Sequence, residues 1–188
     1  MSIFDKVVAA VTPPESDKAR AEARAKARAV ATPGDWLSAV LDHHLQIESA
    51  FAKVKNATDS ASRIKELKAL ATLLTGHSIA EEVALYPALA QADEKGHATM
   101  AYTEQSAAKL QMGLLEDLPP MSQEFLDKLE HIKGAVAHHV YEEEGNWFLE
   151  LKSKLPKEAQ AKLTQRYDEQ FSRYMGIEAA VASRRAAG

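Results

Sequence analysis

The chain is predicted to be all-α: an antiparallel four-helix bundle with an extra N-terminal segment and a C-terminal helix. Three observations support this. Gly and Pro fall at breaks (Pro13-Pro14, Pro33-Gly34, Pro87, Gly96, Pro119-Pro120, Pro156), and the stretches between them are rich in the helix formers Ala, Leu, Glu, Lys and Gln. Apolar residues recur there at three- and four-residue spacing, and no alternating β-branched run competes with that reading.

The length of 188 residues and 46% hydrophobic content suit one domain with a core that needs no staples. The sequence has no cysteine, which removes disulfides, thiolate metal ligands and Cys nucleophiles. A net charge of −4, from 23 basic and 27 acidic residues, argues against a nucleic-acid partner. No apolar run approaches the ~20 residues of a membrane span. Met1–Lys6 lacks the order of a signal peptide, so the cytoplasm is the expected compartment, with no membrane partner.

In chain order, Ile3–Val11 is a short apolar segment. Ser16–Ala31 is helical by propensity but almost without large apolar residues, so it is expected at the surface or frayed. The first bundle helix starts at the N-cap Asp35 and runs to about Lys55, with Leu37, Val40, Leu41, His44, Ile47, Phe51 and Val54 on one face. The second spans about Ser60–Leu85, its face holding Ile64, Leu67, Leu70, Leu74, His77, Glu81 and Leu85. The third, Ala98–Glu116, is less clearly amphipathic. The fourth starts near Ser122 and presents Phe125, Leu129, Ile132, Val136, His139, Val140, Glu143 and Trp147. A fifth helix follows Pro156, and its stripe of Leu163, Tyr167, Phe171 and Tyr174 should dock on the bundle or form a homodimer. The expected divisions are a helical extension over residues 1–34, the bundle over 35–155, and a C-terminal helix and tail over 156–188.

The informative residues are polar ones on apolar stripes. His44, His77 and His139 each have a Glu four positions on (Glu48, Glu81, Glu143), a spacing that puts both side chains on one helix face. Buried carboxylates are costly unless paired, and a cation between three such pairs offsets that cost. Imidazole and carboxylate without sulfur are the ligands of iron, manganese or zinc. One His-x3-Glu is weak, but two lie in a shared pattern. His77-x3-Glu81-Glu82-x2-Leu85-Tyr86 matches His139-x3-Glu143-Glu144-x2-Trp147-Phe148.

On these blocks, together with Asp42-His43-His44-x2-Ile47-x3-Phe51, the sequence from about Trp36 to Leu151 resembles the hemerythrin-like (HHE cation-binding) family. The resemblance implies a four-helix bundle with two non-haem iron ions between the helices. It draws His44 from the first helix, His77 and Glu81 from the second, and His139 and Glu143 from the fourth, with Glu81 and Glu143 as metal bridges. Periodicity selects His44 over His43 and His139 over His138; His43, His131, His138 and Glu142 read as solvated. The third helix departs from the family pattern, holding Glu104-Gln105 where a Glu-His pair is usual. Glu48 ranks first as the replacement ligand, because its spacing from His44 repeats the other pairs. Tyr102 and Gln105 are expected to line the cavity, and Glu104 and His97 are further candidates.

The resemblance implies a buried site that binds or reacts with dioxygen, nitric oxide or peroxide, as carrier or sensor or as an oxidative enzyme. Loss of a nitrogen donor at Gln105 tips this expectation toward oxidative chemistry or a different metal. A metal-free interaction bundle or a phosphotransfer module on His43 or His138 would leave the His/Glu pairs unexplained. Glu-x-x-His pairs of the ferritin type, HExxH, Gly-x-Ser-x-Gly and P-loop patterns give no support to other enzyme classes.

Overall fold

The computed structural model of the chain describes residues 15–92 and 95–176. The apolar segment expected over Ile3–Val11 lies outside them. Among the described residues there is helix and no strand.

Helix α1 (Asp17–Val30) is capped by the Ser16 hydroxyl on the Ala19 N–H. Helix α2 (Trp36–Asn56) starts at Asp35, whose carboxylate accepts from the Ser38 N–H. Helix α3 (Ser60–Ala80), capped by Asp59, continues through a π-helical turn at Glu81–Leu85 into α4 (Tyr86–Gln91). Helix α5 is Lys95–Glu116. Helix α6 (Gln123–Glu142), capped by Ser122, passes through a second π-helical turn at Glu143–Trp147 into α7 (Phe148–Lys154). Helix α8 (Lys157–Tyr174) follows Pro156.

α2, α3–α4, α5 and α6–α7 make the bundle. Its interior holds two apolar clusters, one around Trp36, Leu41, Leu85, Phe148 and Leu151 and the other around Phe51, Leu70, Leu74, Phe125 and Leu129. Each helix changes cluster at one level. On α2 the change falls between Leu41 and Ile47, on α3 between Leu74 and Leu85, and on α6 between Val140 and Trp147. His44, His77, Glu81, His139 and Glu143 occupy that level, all buried.

The structure decides two open expectations and corrects a third. Of the two arrangements expected for α1, the structure shows the surface helix. It buries Ala23 and Ala27, and Ala23 comes within 3.5 Å of the Cβ position of Gly145, a close approach that small residues permit. Ile64 is exposed and its neighbour Arg63 is buried instead. The Arg63 guanidinium donates to the carbonyls of Val54, Lys55, Ala57 and Pro120, tying the end of α2 to the α5–α6 connection. Finally, α8 uses its stripe within the chain: Tyr167 is fully buried, and Leu163 and Phe171 pack on the first cluster. This is docking on the bundle, one of the two arrangements expected for the stripe, and Tyr174 at its end stays exposed.

Candidate metal centre

The residues of the centre are brought together by the two repeated blocks. In each, a His and a Glu one turn on lie on the inner face, and a π-helical turn begins at the Glu. The extra residue in that turn sends the Tyr86 N–H to the Glu81 carbonyl and the Phe148 N–H to the Glu143 carbonyl. Such bulges re-aim side chains and concentrate at functional positions.

Three imidazoles direct Nε2 at the two carboxylates. His44 Nε2 is 3.3 Å from Glu143 Oε2 and 3.9 Å from Glu81 Oε1. His77 Nε2 is 3.2 Å from Glu81 Oε2, and His139 Nε2 is 3.2 Å from Glu143 Oε1. One ligand atom from each of His44, His77, Glu81 and Glu143 falls within 4.8 Å of all the others. His44 Nε2, Glu81 Oε1 and Glu143 Oε2 are buried with no hydrogen-bond partner. Polar atoms orphaned at this depth are rare in folded proteins, and these three face one another, so the donor set fits a cation.

The opposite ring nitrogen of each imidazole is held by an oxygen. His44 Nδ1 is 2.8 Å from Glu144 Oε1, His77 Nδ1 is 3.0 Å from the Tyr167 hydroxyl, and His139 Nδ1 is 2.8 Å from Glu104 Oε2. An acceptor at Nδ1 leaves the Nε2 lone pair directed inward, the tautomer a metal requires. Behind Glu144, Arg24 of α1 grips the same carboxylate at 2.9 and 3.0 Å.

The charges follow from this crowding. Burial and the neighbouring Glu143 push the Glu81 carboxyl up to about 7. Burial works against charge on Glu143 too, but His139 and His44 hold it well below the usual range. His139 resists charging through burial, yet Glu143 and Glu104 raise it to about 10. His77 is lowered by burial and by His44. Two carboxylates in one dry space therefore do not ionise independently, the situation a cation relieves.

Glu48 does not join the cluster. It is exposed on α2, and Arg24 holds its carboxylate at 2.7 and 3.1 Å, so the expectation that it is a terminal ligand is corrected. The i,i+4 spacing was right, but the helix phase carries Glu48 outward past His44. Tyr102 is also exposed, with its hydroxyl donating to the Glu82 carbonyl at 2.6 Å; it reaches the site only by packing edge-on against Tyr86. Gln105 is buried and inward, its amide N–H donating to Glu81 Oε2 at 2.6 Å and to the Tyr86 hydroxyl at 2.5 Å. His43 is covered rather than solvated: its ring stacks on Phe171 at 3.8 Å and its Nδ1 lies 2.8 Å from the Tyr167 hydroxyl. His97 stacks on Trp147 at 5.7 Å, away from the ligand atoms. His138 meets Glu15 at 2.7 Å.

Tyr86, Glu144 and Tyr167 complete the centre without having been assigned to it from the sequence, and Glu104, one of the further candidates, enters it as the partner of His139 Nδ1. The repeated Glu-Glu doublets and the aromatic ending each block were visible signals. The place of the second Glu in each doublet was not: Glu144 is buried behind His44, whereas its counterpart Glu82 pairs with Lys109.

A cavity of ≈ 20 Å³ adjoins the centre, lined by His77, Gln105, His139 and the apolar Ile47, Leu74, Val136 and Val140. Its volume admits one molecule about the size of water.

An all-helical bundle with an inward set of imidazoles and carboxylates defines a metal-binding bundle protein. Residues 35–151 match the hemerythrin HHE cation binding domain, and the chain belongs to that family. Among curated proteins it is similar to a DNA nickase of Nostoc sp., 26% identical over 118 residues, which cover 63% of this chain and 33% of that protein. The chain thus matches about a third of that relative's length. No solved structure matches the chain.

Proposed function

We propose that the protein is a cytoplasmic non-haem di-iron protein that binds or reacts with dioxygen, nitric oxide or peroxide at this centre. The observation that carries the proposal is the convergence of three imidazole Nε2 atoms on Glu81 and Glu143, with His44 Nε2, Glu81 Oε1 and Glu143 Oε2 buried and unpartnered. This sulfur-free set suits iron, and also manganese or zinc. Iron held there supplies an open coordination position and the redox capacity for a small ligand.

The residues of the chain do the rest. His44, His77 and His139 offer Nε2, while Glu144, Tyr167 and Glu104 fix their ring orientation. Ile47, Leu74, Val136 and Val140 exclude water, and the cavity they line limits the ligand to a few atoms. DNA nicking belongs by name to the Nostoc relative; a net charge of −4 gives this chain no excess of basic residues with which to hold a phosphate backbone.

A second reading, an oxidative enzyme, has its own support. Reducing peroxide requires protons, and Glu104 both bonds His139 Nδ1 and lines the cavity while remaining partly exposed. It can carry a proton between solvent and the centre.

Elemental analysis with visible spectra of the reduced protein under dioxygen, nitric oxide and peroxide tests both readings. About two irons per chain with a stable gas adduct supports the carrier or sensor. Rapid loss of peroxide supports the enzyme. A protein that takes up no metal overturns both.

A further inference from the structure

Helix α5 turns an uncharged face outward. Met100, Leu110 and Leu114 are 50%, 65% and 47% exposed, and Thr99, Thr103, Ser106, Ala107 and Gly113 are exposed among them. The charged side chains within the helix are engaged elsewhere, Glu104 with His139 Nδ1 and Lys109 with Glu82. Between Lys95 and Glu116, therefore, no exposed residue of α5 is charged. By contrast, α2 exposes Asp42, Glu48, Lys53 and Lys55, and α6 exposes Glu124, Asp127, Glu130 and Lys133. A bundle helix that faces water carries charges outward, and a continuous uncharged face with large apolar side chains marks a contact surface.

The two ends of this face differ in size and in charge. Leu110 and Leu114 stand out from the C-terminal half. The N-terminal half holds an open groove of ≈ 660 Å³ lined by Lys95, Gly96, Thr99, Met100, Thr103 and Glu104, and nothing lies within 4 Å of the Cβ position of Gly96. Lys95 opens the helix, Glu116 and Asp117 end it, and all three are exposed. Reversed end for end, the face complements itself. A second α5 laid antiparallel brings Leu110 and Leu114 over Thr103, Thr99 and Gly96. It also brings Glu116 and Asp117 to Lys95, at the positive end of the other helix. A two-fold axis makes both matches twice. A parallel pair would set leucine on leucine, leave the groove unfilled and bring like charges together.

We propose that the outer face of α5 is the interface of a homodimer, two copies of the chain packing antiparallel with Leu110 and Leu114 of each in the groove at Gly96–Thr103 of the other. Ser106 stands halfway between Lys95 and Asp117 in the sequence, so this register sets it opposite its own copy at the two-fold axis. The small side chains along the face let the helix axes approach to ~8–10 Å. The surface is separate from the α8 stripe, whose Leu163, Tyr167 and Phe171 pack within the chain. It supplies no atom to the metal centre, but it backs the helix that brings Glu104 and Gln105 there. The proposal does not depend on which ligand or metal the centre takes.

Sedimentation equilibrium of the full chain over a range of concentrations tests this, and the wild type should sediment as a dimer that dissociates on dilution. Leu110→Glu and Leu114→Lys should each weaken the dimer by about 10-fold or more while leaving the helical circular dichroism unchanged. Leu45→Glu, at an α2 leucine that is 44% exposed, should leave the dimer as it is. The register has its own test, because the chain has no cysteine. Under mild oxidation Ser106→Cys should form a covalent dimer, whereas Ser49→Cys, exposed on α2, should not at the same concentration. A wild type that stays monomeric at every concentration overturns the proposal. So does a dimer that survives both leucine substitutions, or a Ser106→Cys chain that cross-links no faster than Ser49→Cys.

Discussion

The Glu144 carboxylate stands between Arg24 and His44: Oε1 is 2.9 Å from the Arg24 Nε and 2.8 Å from His44 Nδ1. Through this carboxylate the N-terminal helix holds the orientation of an imidazole on α2, although α1 contributes no atom to the inner cluster. Its light, alanine-based packing is what allows the guanidinium to come so close.

Arg24→Ala should therefore weaken metal binding by about 10- to 100-fold, the usual effect of losing an outer partner of a ligand. Arg24→Lys should restore little, since one ammonium cannot reproduce the paired N–H contacts to Glu144 and Glu48. Competition against a chelator measures both, and an unchanged affinity in Arg24→Ala would remove the proposed link.

Tyr167→Phe deletes the single hydroxyl that meets both His77 Nδ1 and His43 Nδ1. Metal affinity should fall by about 10-fold, with α8 still docked through Leu163 and Phe171. Undocking, seen as rapid amide exchange along α8, would show that Tyr167 mainly anchors the helix.

Glu48→Ala should leave metal content unchanged, because Glu48 stands outside the cluster on the far side of Arg24. Loss of a full metal equivalent would restore the ligand role that its spacing suggested.

Arg63→Ala should cost ~2–4 kcal/mol of stability, since four carbonyls lose a charged donor in a buried place. Urea unfolding of the metal-free protein gives the value, and a loss within about 0.5 kcal/mol would mean that water replaces the guanidinium.

Asp35 supplies the acid dependence of the α2 cap. Partial burial opposes its ionisation, but Lys152 and the Ser38 and Thr32 N–H groups hold its pKa below the ordinary carboxylate value. A depressed folded pKa contributes stability above the unfolded value and loses it as pH falls through the folded one. Asp35→Asn, which keeps a capping oxygen, should lower stability at neutral pH and narrow its gap from wild type in acid. A gap that stays constant with pH would contradict the ion pair with Lys152.

The architecture and the inner donor set were legible because periodicity is a local property. His44, His77 and His139 share faces with Leu, Ile, Val and Phe, and a helix buries such a face whatever its neighbours are. Glu48 shows where that logic stops. Four residues from His44 lies the same broad face, but its edge, and only the position of α1 decides whether that edge meets the interior or Arg24. Ile64 and Arg63 exchanged their expected roles for a similar reason, because the carbonyls awaiting Arg63 come from the end of α2 and from the loop before α6.

Taken alone, the sequence determined the helices, the inward faces and the presence of a sulfur-free His/Glu centre. Tertiary structure alone decided what stands behind each imidazole and which aromatic hydroxyl enters the centre. Glu104, Glu144, Tyr167 and Arg24 act across helices, and Tyr86 is aimed by a π-helical turn. Such contacts depend on the separation and rotation of whole elements, which no spacing within one helix encodes.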